Sequence, residues 1–189
     1  MRRIRLACRA FVAAFAGSRR GATAVEFAIV AAPFFLLMFG VMELSLMFMA
    51  STTIEAATIT AARQIRTGQL QTAGTNTAAG FKTLVCNGMS WISASDCTAN
   101  LQVDVRTFNT FTSISTPSPI TNNAIDPTKL SFDSGGSCSI VLVRVFYPWT
   151  LLTPTFDPGL PSLGPTQRLL TQSVAFRNED WDPNTPPCS

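Results

Sequence analysis

The most restrictive feature of this 189-residue sequence is a long apolar run near its beginning. Residues 27–49 comprise 23 positions, of which only Glu43 is charged. A helix rises about 1.5 Å per residue, so a helix of this length crosses a hydrocarbon core of about 30 Å. The run therefore predicts one membrane-spanning helix, and the remaining length leaves room for one ordinary domain.

The charged residues are divided unequally about this run. Six of the 14 basic residues precede Ala22, whereas all 11 acidic residues follow it. The formal charge of +3 therefore belongs to the N-terminal segment, and it gives no support for nucleic-acid binding. Arginine on one side of a span holds that side in the cytoplasm, so the rest of the chain is predicted to be exported. The six residues are Arg2, Arg3, Arg5, Arg9, Arg19 and Arg20.

A glutamate stands at the start of the apolar run, five residues after Gly21. A carboxylate in an apolar helix is costly in lipid, so Glu26 is expected to have a partner. One explanation is local, because Thr23 and Glu26 have the spacing of a capping box, whose side chains accept hydrogen bonds from free backbone amides. That explanation accounts for neither Gly21 nor the membrane setting.

The same residues belong to a longer motif. Residues 19–28 read RRGATAVEFA, and Pro33, Gly40 and Glu43 follow within the run. From about residue 19 to residue 69, the chain resembles the TadE-like minor pseudopilins of the tight-adherence (Tad/Flp) pilus system. The order of Gly21 and Glu26 also resembles the processing site of type IV prepilins.

This resemblance implies a fold and a series of events. A prepilin peptidase would cut after Gly21, which makes Ala22 the first residue of the mature chain and Glu26 the fifth. The new ammonium group would pair with Glu26 of a neighbouring subunit and help to dock each subunit in register. The implied fold class is α+β, with a long N-terminal transmembrane helix continuing into a pilin-like periplasmic domain that has a small antiparallel sheet.

Other residues of the span are candidates for helix packing. Ala24, Ala28 and Ala32 form a stripe of small residues that would let another helix approach closely, although a lipid-facing stripe is an equal alternative. Pro33 is expected to bend the helix, and Gly40 follows two turns later. Glu43 either extends to the periplasmic face or pairs with a partner protein in the membrane, and the second alternative is favoured.

The helix is predicted to continue out of the membrane as an amphipathic segment. Apolar residues recur at helical spacing within residues 51–66, and Gly68 is expected to end the helix. The stripe comprises Ile54, Ala57, Ala61, Ala62 and Ile65.

The remaining sequence predicts a small mixed domain. A short helix is expected at residues 81–86, and a half-buried strand is expected where apolar and polar residues alternate at 101–108. Residues 139–147 are the richest in β-branched side chains and predict the central strand, which Pro148 and Trp149 are expected to end. Residues 115–129 and 153–165 predict loops, and residues 168–176 predict a last strand.

Four of the five cysteines lie in the part predicted to be exported, where disulfides persist. Cys86, Cys97, Cys138 and Cys188 allow three pairings. The short separation of Cys86 from Cys97 favours that pair together with Cys138 and Cys188.

The sequence contains no histidine, which removes the usual general base and every histidine-dependent triad or zinc site. It also has no nucleophile-elbow, phosphate-loop or calcium-loop motif. We therefore expect no enzyme activity, no cofactor, no metal site and no small-molecule substrate.

Together these observations predict four segments. Residues 1–21 would be a cleaved cytoplasmic leader, residues 22–50 the transmembrane helix, residues 51–70 its amphipathic continuation, and residues 71–189 the periplasmic domain. The expected function is the biogenesis or priming of an adhesive Tad/Flp type IVb pilus. The expected partners are the inner membrane, the prepilin peptidase, other pilins or pseudopilins and the Tad assembly platform. The alternatives are an uncleaved single-pass scaffold of an envelope or pilus assembly complex, and a secreted enzyme or binding protein released beyond Ala50.

Overall fold

The computed structural model describes residues 21–152, 162–184 and 188, and only the backbone of Ala22. Residues 1–20 of the predicted leader and residues 153–161 of the predicted excursion lie outside the described residues. The described residues confirm the α+β organisation, because a long apolar helix precedes a domain with a small antiparallel sheet.

One helix, α1, runs over Ala22–Arg66 and is 45 residues long. It includes Pro33, which does not interrupt it. Its end follows from the sequence as predicted, because Gly68 adopts a left-handed φ of 74° that glycine reaches without a Cβ penalty. The Gly68 N–H donates to the carbonyl of Ile65 at 3.1 Å, which satisfies one of the free carbonyls of the last turn.

The chain divides into two compact units, one ending at Met42 and the other beginning at Glu43. In the first unit, the most apolar stretch of α1 has no buried residue, and Phe27 and Leu37 are 71% and 70% exposed. Such a surface is unfavourable in water and favourable in lipid. The helix is long and apolar enough to cross a membrane, which fits a single-pass membrane protein.

In the second unit, one stripe of α1 lies in the hydrophobic core. All five residues of the predicted amphipathic stripe are buried, and α1 runs through them to Arg66. Burial starts earlier than expected, at Glu43 and Met47. Residues 43–50, which the sequence assigned to the span, therefore belong to the folded unit.

Three antiparallel strands form the main sheet in the order β1-β4-β5. They are β1 at Gln102–Phe108, β4 at Ile140–Thr150 and β5 at Gln167–Arg177. Val143 of β4 is paired with Val105 on one side and with Val174 on the other. The three predicted strands are thus present, and the β-branched strand is central as expected.

The expectation that Pro148 and Trp149 end the central strand is wrong. β4 continues to Thr150, and Pro148 is paired with Leu169 of β5. Pairing with β1 stops at Phe146, which is opposite Gln102. Beyond that point the described residues give β4 a strand on one side only, so the missing N–H of proline removes no bond to β1.

Short elements surround the sheet. The predicted short helix is α3 at Ala78–Asn87, while α2 at Gln69–Thr72 and α4 at Ala94–Asn100 were not predicted. The side chains of Thr77 and Ser93 cap α3 and α4. The loop predicted at residues 115–129 contains a small hairpin of β2, Ile120–Thr121, and β3, Ala124–Ile125.

The expectation of a half-buried β1 is incomplete. Val103 and Val105 are buried in the core, but the alternate residue Asp104 has no exposed surface. The segment leading to β4 crosses that face, and the backbone N–H of Ser131 donates to Asp104 at 2.7 Å. Both faces of β1 are therefore covered at this position.

Candidate processing and assembly segment

The predicted cleavage site lies at the beginning of α1. Gly21 stands directly before the helix, and a Cβ built on it would meet no atom within 4 Å. Glu26 is exposed, and positions four apart, such as Ala22 and Glu26, lie one above the other on a helix. Because α1 begins at Ala22, Thr23 lies inside the helix rather than at the N-cap position of the capping box.

The small-residue stripe is available to a neighbour. Ala24, Ala28 and Ala32 are all exposed on α1, and their spacing of four residues places them on one face. Pro33 is exposed and Gly40 is half-buried, and a Cβ on Gly40 would meet no atom within 4 Å. The roles of these residues in helix packing stay predictions.

Glu43 has surroundings that the sequence did not anticipate. Its side chain is only 3% exposed, and its Oε1 accepts a short hydrogen bond from the backbone N–H of Leu152. The sequence offered two alternatives, extension to the membrane surface or a partner protein. The structure instead provides a donor within the same chain, and any role of Glu43 in assembly stays a prediction.

A buried ionic cluster that no sequence pattern predicted lies on the sheet. Arg144 donates to Oδ2 of Asp104 through Nε at 3.0 Å and Nη2 at 2.7 Å, and Arg106 donates to Oδ1 through Nε at 3.0 Å. The same arginines donate to the carbonyls of Pro117 and Lys129. The cluster thereby fastens residues 117–131 to the outer face of the sheet. Its only signal in the sequence was the placement of charged residues within strongly apolar strands.

A second missed group contains the only tyrosine of the chain. Tyr147 is buried, and its hydroxyl donates to Oδ2 of Asp96 at 3.3 Å. Burial first, and then the neighbouring Asp96 carboxylate, raises the pKa of Tyr147 to about 12. The rings of Trp91 and Trp149 lie 5.8 Å apart beside it, along an open cavity of about 400 Å³.

Both favoured disulfides are present. Cys86 joins Cys97 between α3 and α4, and Cys138 joins Cys188 near the C-terminal end. Among the described residues, no group of three or more histidine, cysteine, aspartate or glutamate side chains could hold a metal ion.

Comparison with known proteins bears on α1. Residues 21–63 match the family model described as TadE-like protein, which suggests a role related to the Tad pilus. No curated protein and no solved structure matches the chain. The matched residues start at Gly21 and end within α1, so they include none of the sheet. Over residues 21–63, the resemblance to TadE-like proteins that the sequence motif predicts is confirmed.

Proposed function

We propose that this chain is a minor pseudopilin of a Tad/Flp type IVb pilus. It is inserted in the bacterial inner membrane with its N-terminus in the cytoplasm and its sheet domain in the periplasm. A prepilin peptidase cuts it after Gly21, and the mature chain then takes part in building or priming the pilus. Its role is associative and involves no turnover of a substrate.

The observation that carries this proposal is that the family match and α1 begin at adjacent residues, just before the exposed apolar surface. The family match begins at Gly21, α1 begins at the next residue, and the exposed apolar surface of α1 follows. A peptidase acting at the membrane surface needs a scissile bond just outside the span. Gly21 meets this need, and its lack of a Cβ allows close approach.

Glu26 is the candidate for subunit docking. Its side chain is exposed in a segment whose other large side chains are apolar. An unpaired carboxylate in a bilayer costs several kcal/mol, so a pair with the ammonium group of a neighbour's Ala22 distinguishes docked from undocked subunits. Ala24, Ala28 and Ala32 provide the surface over which the neighbouring helix approaches.

The decisive experiment is the intact mass of the protein recovered from inner membranes of cells with an active prepilin peptidase. We expect loss of residues 1–21, and we expect the Gly21→Leu variant to retain them. Gly136→Leu is the matched control, because Gly136 also lies in open space and outside the segment. Normal trimming of Gly21→Leu would contradict the assigned site. A full-length wild-type product would favour the uncleaved scaffold, whereas a product that begins beyond Ala50 would favour a secreted protein.

Docking is tested separately with Glu26→Gln. This variant should insert and be trimmed normally but should support fewer pili, because the amide cannot form the ion pair. Glu55→Gln is the control, since Glu55 is an exposed glutamate of the same helix within the domain. Pili at the wild-type level in Glu26→Gln would refute the docking role while leaving the cleavage proposal intact.

A further inference from the structure

We propose that one end of the folded domain lies in the lipid headgroup region of the membrane. This aromatic end comprises Trp91, Tyr147, Trp149 and Leu152, next to the first two turns of α1 that belong to the domain. The proposed partner is the lipid surface itself. This inference rests on membrane insertion of α1 but does not depend on cleavage after Gly21.

Aromatic residues are concentrated at this end of the domain. The chain contains three tryptophans and one tyrosine, and three of these four residues lie at the aromatic end. Trp91 is 39% exposed although its ring lies against Trp149. Tryptophan and tyrosine are enriched at membrane interfaces, because their rings are amphipathic.

The part of α1 that belongs to the domain also has an exposed apolar surface. Phe48 and Met49 are 66% and 45% exposed, so this part of the helix still presents apolar side chains outwards. The next exposed residue is Thr52, and Glu55 is the first exposed charged one, while Ile59 is an isolated exposed large apolar residue further on. The apolar run of the sequence therefore ends on α1 after the domain has begun, which places the lipid boundary alongside the domain.

The aromatic end lies at the same level of α1 as this boundary. Leu46 lines the same cavity as Trp91, Trp149 and Leu152. The side chain of Leu152 is 65% exposed, although its backbone N–H donates to Glu43, which lies about one turn before Leu46 on α1. Exposed leucine and tryptophan therefore occur at the same level of α1 as exposed phenylalanine and methionine, and such apolar side chains suit lipid better than water.

The surroundings of Glu43 explain how an acidic residue is tolerated at the depth of the lipid boundary. Its carboxylate is buried and accepts from the Leu152 backbone, so lipid meets Leu152 rather than the charge. A buried carboxylate is tolerable only when hydrogen-bonded. Asp96, the acidic residue that lines the cavity, accepts a hydrogen bond from Tyr147 and likewise has a partner.

The experiment uses the full chain reconstituted in phospholipid vesicles and measures the quenching of tryptophan fluorescence. Trp181→Phe retains the two indoles of the aromatic end. The double variant Trp91→Phe with Trp149→Phe retains Trp181, which packs against Gly68 beyond the far end of α1. Flotation with the vesicles reports insertion of α1, and intact mass with thiol labelling reports formation of both disulfides, which shows that each variant is folded.

Since interfacial indoles lie at headgroup level, bromine near the headgroup end of the acyl chains should lower the fluorescence of Trp181→Phe by roughly half. The same lipid should leave the fluorescence of the double variant nearly unchanged. A water-soluble quencher should lower the fluorescence of the double variant more than that of Trp181→Phe. Equal response of the two variants to brominated lipid would overturn the inference, even if the protein floats. Failure to float would refute membrane insertion, and with it both this inference and the proposed function.

Discussion

The buried cluster around Asp104 allows a quantitative prediction of stability. Asp104→Asn keeps the size of the side chain but removes the charge that faces Arg144 and Arg106. Asp104 has no exposed surface, and Arg144 is 8% exposed. The variant therefore leaves a guanidinium group in a nearly dry site without its carboxylate.

The expected loss is large. Removing one partner of a buried ion pair typically destabilises a protein by about 3–5 kcal/mol, because the other charge stays buried and uncompensated. A domain of this size has a total stability of about 5–15 kcal/mol, so the loss is a large part of it. Arg144→Met removes the charge that Asp104→Asn leaves without a carboxylate partner. The variant with both substitutions should therefore lose less unfolding free energy than the sum of the losses of the two single variants. We expect a coupling free energy of about 1–3 kcal/mol between Asp104 and Arg144.

The measurement is urea unfolding of the full chain in detergent with both disulfides intact. Tryptophan fluorescence monitors the unfolding. Trypsin cleavage after Lys129 adds a local readout, because Lys129 lies in the segment that the cluster fastens to the sheet. Cleavage should become faster in Asp104→Asn and stay unchanged in the exposed control Glu55→Gln. A loss below about 1 kcal/mol, the typical range of an exposed ion pair, would refute the conclusion that the cluster is desolvated.

Two further predictions concern single positions. Gly68→Ala should cost about 2–4 kcal/mol of unfolding free energy, because the new Cβ combines left-handed strain at φ 74° with a position 2.5 Å from Cγ of Trp181. Gly74→Ala, at φ 70° in open space, should cost only the strain of about 1–2 kcal/mol, and equal losses in urea unfolding would exclude the clash. Tyr147 should stay neutral at about pH 11 in the folded chain but ionise on unfolding, because burial raises its pKa to about 12 from about 10. The folded state thus loses stability as the pH rises from about 10 through 12, and Asp96→Asn should lower the pKa seen in the tyrosinate absorbance without restoring the ordinary value.

The features that sequence reasoning predicted correctly are local ones. The end of α1 depends on one glycine, and the buried stripe of α1 depends on apolar residues at helical spacing. The central position of β4 follows from its β-branched residues, which suit a strand covered on both faces. In each case the physical cause lies within a few residues of its effect.

The features that were missed depend on distant segments. Alternation in β1 gave no sign that Asp104 would be covered, because the covering residues begin more than ten positions further along the chain, and those up to Lys129 were predicted only as a loop. Pro148 was expected to end β4. The strand accommodates this proline because β1 stops pairing with β4 before Pro148 is reached. Neither outcome is determined by the residues themselves.

Glu43 shows why an acidic residue in an apolar run does not by itself indicate an intermolecular partner. Its hydrogen-bond donor is a backbone N–H that lies 109 positions further along the chain, and every residue except proline carries such a group. No side-chain pattern could therefore have predicted the contact. Glu26 differs, because it is exposed in the unit that ends at Met42 and has no hydrogen bond or ion pair to another described side chain. A carboxylate with an internal donor can be stable in a single subunit, whereas one without a donor gains most from a neighbour. Glu26 is consequently the residue expected to dock subunits, and substitution of Glu43 should first perturb the domain that contains it.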